Sequence, residues 1–451
     1  MNEIGHIKTI YFIGIGGIGM SALARYAMMQ GMEVFGYDKT PTDLTRELIA
    51  EGISVTYRDS LSELPSEKLN KAETLVVYTP AIPKDNTLFN WFKAEGYRLV
   101  KRAAYLAEVT QNTLCLAVAG THGKTTTSAI LGHLLADCDM PVTAFLGGIT
   151  ENYNSNFIYR GNEITVVEAD EFDRSFLSLK PDIACVTSMD SDHLDIYGDS
   201  GALEDAFREF ASLVPDTNKL LIKKGLPLEG RTVAIEDAAD FEAQNVRIEN
   251  ECYVFDLKTP TETIRDLKFL LPGHHNLQNA ITALGMAILA GSPTHCLPRA
   301  LYGFKGVQRR FSYKIKRDDL VLIDDYAHHP SEIDALYQAV QELYPEDRKL
   351  IVFQPHLFSR TRDFADAFAG SLARFDEIIL LDIYPAREEP IPGITSGWLM
   401  EKIDNKAISL LTKNELSVAI KSAACRINLI VGAGDIGAEV TKITNYLSDE
   451  S

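Results

Sequence analysis

The chain has 451 residues, of which 46% are hydrophobic and 24% charged, so it is long enough for more than one hydrophobic core. Its formal net charge of -19 argues against a nucleic-acid partner, because proteins that bind phosphate backbones generally present a basic face. No apolar run approaches the length of about 20 residues that a membrane span needs, and the N-terminus lacks the pattern of a signal peptide. We therefore expect a cytoplasmic protein with neither nucleic-acid nor membrane partners.

The six cysteines are scattered along the chain and form no C-x-x-C pair. Several lie in apolar runs, such as Cys115 between two leucines and Cys185 between an alanine and a valine. This pattern predicts buried, reduced thiols.

A glycine motif stands between the first predicted strand and the first predicted helix. Gly14, Gly16 and Gly19 satisfy G-x-G-x-x-G. Glycines permit a tight turn whose backbone N–H groups approach a diphosphate at the helix N-terminus. Asp38 ends the next predicted strand, where an acidic residue would bind a ribose. The motif predicts a site for a nucleotide diphosphate without specifying which one, and the alternative is a tight turn with no ligand.

The same spacing recurs near the C-terminus, where Gly432, Gly434 and Gly437 follow another predicted strand. Two dinucleotide sites in one such chain would be unusual. At least one of the two motifs is therefore predicted to be a strand–helix turn used for packing or for a different ligand.

A second glycine turn occupies residues 119–127, after a buried strand at 114–118 and before a helix. This context is typical of a P-loop, in which N–H groups wrap the phosphates, a lysine reaches the β/γ oxygens and the next hydroxyl binds Mg²⁺. Lys124 and Thr125 would take the last two roles. Val118 stands where the consensus has its first glycine, so the loop is a variant. The alternative is a Gly/Thr-rich turn that binds no ATP.

A P-loop needs a carboxylate at the end of a nearby strand to help hold the metal. Glu168 directly follows a predicted strand, and Asp170 points to the same side. His193 lies in an acidic segment after a further apolar strand, where neutral imidazole could bind a second Mg²⁺. The alternative for His193 is a structural histidine.

Together the two turns distinguish between classes of protein. A dehydrogenase would use the first turn and leave Lys124, Thr125 and Glu168 without a role. A simple ATPase would use those residues and leave the first turn without one. Two nucleotide sites imply an energy source and a nucleotide-tagged substrate, which favours a ligase or transferase.

These motifs, in their order along nearly the whole chain, resemble the Mur ligase family of bacterial peptidoglycan synthesis, and within it the branch that adds the first amino acid. The segments that carry the resemblance are 14–21 (GIGGIGMS), 78–83 (YTPAIP), 120–127 (GTHGKTTT), 168–173 (EADEFD), 192–195 (DHLD), 273–279 (GHHNLQN), 308–311 (QRRF), 324–330 (DDYAHHP), 354–361 (QPHLFSRT), 384–390 (YPAREEP) and 432–437.

The resemblance implies an α/β fold of three domains. Residues 1–110 would form an N-terminal Rossmann-like domain for the UDP-sugar, and residues 111–312 a central P-loop ATPase-type domain with a mixed sheet. Residues 313–451 would form a C-terminal Rossmann-like domain for the amino acid and the ligation step.

The resemblance also implies site residues. The UDP-sugar would contact Gly16, Gly17, Ile18, Gly19, Met20, Ser21, Asp38, Thr79, Ala81 and Ile82. ATP would contact Gly120, Thr121, His122, Gly123, Lys124, Thr125, Thr126, Asn276, Asn279 and Arg310. Mg²⁺ would be held by Thr125, Glu168 and His193, and catalysis would involve Lys124, Asp325, His328, His356 and Arg360.

The activity that the resemblance implies is ATP-dependent, ADP-forming ligation of L-alanine to UDP-N-acetylmuramate through an acyl-phosphate. The partners would be these small molecules, and the protein would be a monomer or a homodimer. The alternative is a peptidoglycan-recycling ligase that attaches a whole tripeptide to the same sugar nucleotide. His328 and His356 are both candidates for the base that deprotonates the amine. Leu357 departs from the family, whose members often carry arginine at this position.

Overall fold

The computed structural model describes residues 6–190, 200–386, 388–423 and 425–448. Its strands form three sheets of five, ten and six strands. The three-domain α/β fold is therefore confirmed. The chain divides into two compact units, one composed of Met1–Arg247, Val254–Phe269 and Gln278–Phe304 and the other of Ile248–Tyr253, Leu270–Leu277 and Lys305–Ser451. The exact domain limits at residues 110 and 312 stay a prediction.

The first sheet is entirely parallel, with the order β3-β2-β1-β4-β5. Its strands are β1 Thr9–Ile13, β2 Glu33–Tyr37, β3 Ser54–Thr56, β4 Thr74–Tyr78 and β5 Arg98–Lys101. The helices between them are α1 Ile18–Met29, α2 Asp43–Ala50, α3 Thr87–Ala94 and α4 Arg102–Thr110. The strand order reverses between β1 and β4, and ligands of such sheets bind at this switch point, beyond the carboxyl ends of the strands. The first glycine turn leaves β1 at this point.

The second sheet is mixed, as predicted, because β7 pairs antiparallel with β8 while β6 lies parallel to β9 and β10. Its order is β15-β14-β13-β12-β11-β10-β6-β9-β7-β8. The strands are β6 Leu114–Ala119, β7 Val142–Thr150, β8 Ser155–Tyr159, β9 Ile164–Glu168, β10 Ile183–Val186, β11 Leu220–Lys223, β12 Arg231–Ile235, β13 Phe241–Glu249, β14 Cys252–Lys258 and β15 Thr263–Phe269. The helices are α5 Lys124–Asp137, α6 Ser200–Ser212, α7 His274–Leu289 and α8 Leu297–Gly303. Strand β6 is a continuous apolar run, as expected for a parallel strand covered on both faces.

The third sheet has the order β16-β17-β21-β18-β19-β20, with β16 antiparallel and the other pairings parallel. Its strands are β16 Ser312–Lys316, β17 Val321–Asp325, β18 Lys349–Phe353, β19 Glu377–Leu380, β20 Ile408–Leu410 and β21 Ile427–Val431. The helices are α9 Pro330–Leu343, α10 Phe358–Asp363, α11 Ala365–Leu372, α12 Ser396–Met400, α13 Leu416–Ala423 and α14 Val440–Ser448. Short 3-10 turns lie at Leu61–Glu63, Ser66–Lys68, Phe172–Ser178, Thr217–Lys219, Lys413–Glu415 and Asp435–Ala438.

The first two sheets share one hydrophobic core, because α1 packs across β7 and β8. Tyr26 of α1 meets Phe145 with ring centroids 5.5 Å apart. Asn156 of β8 donates to the hydroxyl of Ser21 at 3.0 Å and accepts from Arg25. These contacts fix the first glycine turn relative to the second within one compact unit.

The expectation of reduced thiols is wrong for two of the six cysteines. Cys138, which follows α5, and Cys296, which precedes α8, form a disulfide. They are separated by 158 residues, so no local spacing could reveal the pair. The remaining four cysteines, Cys115, Cys185, Cys252 and Cys425, are buried free thiols as predicted. Across the described ranges, no helix is both long enough and apolar enough to cross a membrane.

Candidate active site

The first glycine turn is tightly surrounded by the side chains that were predicted to accompany it. Gly14 has a φ of +88°, and a Cβ built on it would lie 2.6 Å from Thr79 and 3.3 Å from Ile82. The N–H of Gly16 donates to the carboxylate of Asp38 at 2.8 Å. The structure therefore brings the turn, the end of β2 and the segment after β4 together. The other oxygen of Asp38 accepts from the N–H of Thr40 at 3.1 Å.

The other predicted residues of this turn divide by exposure. Gly17 and Ile18 are exposed, and Gly17 begins α1 without a side-chain cap. Ala81 is exposed, and its N–H donates to the hydroxyl of Thr79 at 3.5 Å. Met20 and Ser21 are buried in α1, and the Ser21 hydroxyl donates to the carbonyl of Ile18 at 2.9 Å. Their predicted contact with the UDP-sugar stays a prediction, because their side chains face the protein interior.

The second glycine turn has the backbone of a phosphate-binding loop. Gly120 and Gly123 have φ values of +132° and +83°, which side chains with a Cβ rarely adopt. A Cβ on Gly120 would lie 2.1 Å from the hydroxyl of Thr187, and one on Gly123 would lie 2.5 Å from the amide oxygen of Asn279. The predicted ATP residue Asn279 therefore lies directly against the loop.

The segment after β10 supports this loop from the other side. The hydroxyl of Ser188 accepts from the N–H of His122 at 2.8 Å and pairs with the Thr121 hydroxyl at 2.9 Å. Thr126 is buried in the first turn of α5. Hydroxyl groups thus hold the loop in its conformation. Helix α5 begins at Lys124, so its N-terminus lies at the loop.

Thr125 faces the carboxylate of Glu168 at the end of β9, and Lys124 faces that of Glu171 in the segment after it. The ammonium of Lys124 donates to both oxygens of Glu171, each at 2.8 Å, and to the carbonyl of Gly120 at 2.7 Å. The Thr125 hydroxyl donates to Glu168 at 3.3 Å. Ser128 and the N–H of Gly147 also donate to Glu168, at 3.2 Å and 2.6 Å.

Burial and the neighbouring charges act in opposite directions on the pKa values of Lys124 and Glu168. Burial alone would lower the pKa of Lys124, but the carboxylates of Glu171, Asp170 and Glu168 outweigh it and raise the pKa. Burial raises the pKa of Glu168, although the N–H of Gly147 and the charge of Lys124 act against it. Lys124 is therefore protonated. A further positive charge nearby would stabilise the buried carboxylate of Glu168.

The structure places two of the three predicted metal ligands together. Thr125 and Glu168 are oxygen donors, which is the ligand type that Mg²⁺ prefers. The third, His193, lies outside the described residues. Within the ranges that are described, no group of three or more His, Cys, Asp and Glu side chains is arranged to hold a metal ion.

A second group of predicted residues lies in the other compact unit, at the carboxyl ends of β17 and β18. The rings of His328 and His356 are 6.0 Å apart, and His356 stacks on Tyr384 at 5.7 Å. Arg310 lies 3.8 Å from Glu332 and 5.2 Å from the ring of Tyr326. Arg360 is buried in α10. The structure thus brings the two candidate bases, His328 and His356, together, whereas the predicted contact of Arg310 with ATP stays a prediction.

Asp325 and His328 have shifted pKa values. Burial raises the pKa of Asp325 to about 6, even though Arg310 and the N–H groups of Phe311 and Ala327 act to lower it. Burial also lowers the pKa of His328, with Glu332 opposing and Arg360 adding to the effect. The Nδ1 atom of His328 is 2.9 Å from the carbonyl of Tyr326. Because a carbonyl only accepts, Nδ1 carries the proton, and Nε2 keeps a lone pair as a base requires.

Two further features of this unit bear on the predictions. Asn276 donates its amide to the carbonyl of Pro272 at 2.7 Å, so its predicted contact with ATP stays a prediction. Leu357 precedes α10 with a φ of +72°, an uncommon conformation for a residue with a branched side chain.

The C-terminal glycine turn is filled by the protein's own side chains. A Cβ on Gly434 would lie 2.4 Å from Gln354 and 2.8 Å from Tyr384, and one on Gly437 would lie 2.5 Å from Arg309. The N–H of Ile436 donates to Gln354 at 3.0 Å. Of the two motifs with equal spacing, this one has the contacts of a packing turn, which agrees with the expectation that one of them would.

Comparison with known proteins decides the family. The family model described as "Mur ligase family, catalytic domain" matches residues 9–113, "Mur ligase middle domain" matches 118–287 and "Mur ligase, glutamate ligase domain" matches 309–436. The UDP-N-acetylmuramate–L-alanine ligase of Christiangramia forsetii is 60% identical and covers 100% of both chains.

This chain belongs to the Mur ligase family.

A second relative, the UDP-N-acetylmuramate–L-alanine ligase of Flavobacterium psychrophilum, is 57% identical over 99% of this chain and 100% of that protein. Among solved structures, the UDP-N-acetylmuramate–alanine ligase from Thermotoga maritima matches with a TM-score of 0.82 at 26% identity, covering 98% of this chain and 100% of that one. A murein peptide ligase from Psychrobacter arcticus matches with a TM-score of 0.70 at 20% identity over 98% and 99%, which shows a shared fold.

The sequence motifs missed two charged residues of this Mur ligase. Glu171, fully buried, is the partner of Lys124, although it belongs to the same acidic segment as Glu168. Arg102 begins α4 and lies against Gly19 of the first turn. Glu171 could have been suspected from its place in the segment, whereas nothing in the local sequence marks Arg102.

Proposed function

We propose that this Mur ligase joins L-alanine to the lactyl carboxylate of UDP-N-acetylmuramate, with cleavage of ATP to ADP and phosphate. The observation that carries the proposal is the arrangement of Lys124 and Thr125 against Glu171 and Glu168, at the end of a loop whose backbone is shaped for phosphate. The end-to-end similarity to two alanine-adding ligases supports the amino acid.

The first half of the reaction is phosphoryl transfer. A carboxylate oxygen of the sugar attacks the γ-phosphorus of ATP, the bond to ADP breaks, and an acyl-phosphate forms. Attack of one anion on another is slowed by charge repulsion, so a fixed cation at the phosphates lowers the barrier. Lys124 is that cation. It exchanges Glu171 for the ATP phosphates when the nucleotide binds.

Magnesium is part of this proposal. Thr125 and Glu168 would hold it, and Glu168 is suited to the task because burial destabilises its charge until a cation is bound. Bound Mg²⁺ supplies charge neutralisation at the phosphate oxygens. His193 remains the proposed further ligand.

The second half is amide formation. The amine of alanine must lose a proton before it attacks the acyl carbon, and phosphate then leaves with one oxygen of the original carboxylate. His328 is the proposed base, because burial favours its neutral form and its Nδ1 is engaged by the Tyr326 carbonyl. Arg360, buried nearby, would bind the alanine carboxylate as a charge-assisted pair.

Three other functions compete with this one. The recycling ligase would use the same sugar nucleotide with a tripeptide, and the alanine-adding relatives argue against it. A nucleotide-sensing protein without chemistry would have no use for the Lys124–Glu171 pair. A nicotinamide oxidoreductase would leave the whole phosphate loop without a role. The enzyme is proposed to work in the cytoplasm as a monomer or homodimer.

The test is phosphate release from ATP in the presence of UDP-N-acetylmuramate, measured with each amino acid and with L-Ala-γ-D-Glu-diaminopimelate. We expect alanine to give the highest kcat/KM. A response to the tripeptide alone would identify the recycling activity. With ¹⁸O in the lactyl carboxylate, the released phosphate should carry one labelled oxygen, and unlabelled phosphate would exclude the acyl-phosphate.

A further inference from the structure

Arg102 stands at the junction between the first glycine turn and the acidic segment after β9. It is the first residue of α4, and a Cβ built on Gly19 would lie 2.9 Å from its Nη1 atom. The third glycine of the motif therefore makes room for a guanidinium. Any larger residue at position 19 would push the guanidinium away from the turn.

The second neighbour of Arg102 is Asp170, whose carboxylate lies 3.9 Å from its Nη2 atom. At this distance the two charges attract, but the contact is too long for a hydrogen bond. Throughout the described ranges, no hydrogen bond engages the Arg102 guanidinium. Arg25 of α1 provides a contrast, because it donates to Glu51, Glu47 and Asn156.

The side chain of Arg102 is 27% exposed, so its donors can be reached from solvent. A guanidinium presents five N–H groups in a planar fork that matches the geometry of phosphate oxygens. Close to it, the segment after β9 places the carboxylate of Asp170. A diphosphate bound at the first turn would be repelled by this acid unless a cation stood between them.

We propose that Arg102 binds the diphosphate of the sugar nucleotide, adding a two-pronged cationic contact to the N–H groups of the first glycine turn. Asp170 keeps the guanidinium oriented toward Gly19 before the ligand arrives. This inference rests on the proposed function for the identity of the ligand. It assigns a further substrate-binding residue that the glycine motif does not contain.

The test is calorimetric titration of the full-length protein and its Arg102→Ala variant with three ligands: UDP, UDP-N-acetylglucosamine and UDP-N-acetylmuramate. Only the last carries the lactyl carboxylate. Loss of a charged, bidentate contact should weaken all three by a similar factor of about 10- to 100-fold. Arg102→Lys, which keeps the charge and loses the fork, should fall between the wild type and Arg102→Ala.

The matched control is Arg98→Ala, four residues earlier on β5, where the arginine pairs with Glu108 at 2.8 Å. It should bind all three ligands as the wild type does. Weakening confined to UDP-N-acetylmuramate would assign Arg102 to the carboxylate and overturn the proposal, as would unchanged affinity for all three. If Arg102→Ala does not fold, the same comparison with Arg102→Gln and Arg102→Lys applies.

Failure of the proposed function would be seen in the wild-type protein. A wild type that binds the three ligands but releases no phosphate with alanine would contradict the ligase and leave the role of Arg102 standing. A wild type that makes product while Arg102→Ala binds all three ligands normally would contradict only the role of Arg102.

Discussion

The first and last glycine turns share their spacing but differ in what surrounds them. In the first, Gly17 begins a helix of 12 residues that has no side-chain cap and no acidic residue in its first turn. In the last, Gly434 begins a 3-10 turn of 4 residues whose first residue is Asp435. Gln354 donates to Asp435 at 2.8 Å and accepts from Ile436 at 3.0 Å.

This difference explains why one motif has two meanings. A helix N-terminus attracts anions through unpaired N–H groups and its positive partial charge. At the last turn, the Gln354 side chain accepts from the N–H of Ile436, and the negative charge of Asp435 lies at the N-terminus of the 3-10 turn. Glycine spacing therefore specifies the shape of the turn, and the residues around it decide whether a ligand binds there.

The Lys124→Ala variant should separate binding of the sugar nucleotide from cleavage of ATP most clearly. Removing the cation that faces the phosphates should lower the rate of phosphate release by roughly 1000-fold, near the upper end of losses for a single electrostatic contact. UDP-N-acetylmuramate should still bind at the first turn, as titration would show. Lys223→Ala, an exposed lysine at the end of β11, is the control and should retain full activity. Near-normal phosphate release by Lys124→Ala would mean that the second turn is not the ATP site.

The C-terminal unit should contribute chemistry through His328, and its glycine turn should contribute none. His328→Gln should lower kcat by about 100-fold at pH 8, the usual loss of a general base. Only neutral His328 can accept a proton, and burial lowers its pKa from the ordinary histidine value, so wild-type kcat should fall only at acid pH. This decline should disappear in the variant. His356→Gln serves as the comparison. If it alone removes the acid decline, His356 is the base.

The two turns can be compared directly by placing an alanine in each. Gly16→Ala crowds Asp38 and Thr45, at 2.8 Å and 2.7 Å, and should weaken UDP binding by about tenfold, equivalent to one hydrogen bond to a charged group. Gly434→Ala crowds Gln354 and Tyr384 and should cost about 1–3 kcal/mol of stability, seen as a lower Tm. It should leave UDP binding unchanged. Equal loss of UDP affinity in both variants would refute the distinction.

The smallest expected effect concerns Leu357, the position at which the family resemblance led us to expect arginine. Leu357→Arg adds a partly exposed cation three residues before Arg360, the residue proposed to bind the alanine carboxylate. An exposed charge contributes at most about 1 kcal/mol, so the KM for alanine should fall by roughly two- to fivefold. The KM for ATP serves as the internal control and should not change. An unchanged KM for alanine would place position 357 away from the amino acid.

Much of the fold could be predicted, because the first two sheets begin with an apolar strand followed by a glycine turn and the third ends with one. The two glycine turns also follow from local spacing, and Asp38 and Thr79 lie against the first of them. The Cys138–Cys296 disulfide and the approach of Arg102 to Gly19 could not be predicted. Each joins residues far apart in sequence, and the packing of one element on another brings them together.

The pairing of Lys124 with Glu171 illustrates a second limit. The sequence motif marks Lys124 but does not show that the buried carboxylate of Glu171 lies where phosphates are expected to bind. This exchange of partners is the central claim, and a crystal structure with a non-hydrolysable ATP analogue and magnesium tests it most directly. The account predicts a triphosphate against residues 120–125, with the Lys124 ammonium moved from Glu171 to a phosphate oxygen. A triphosphate bound at the first or the last glycine turn, with Lys124 still on Glu171, would contradict it.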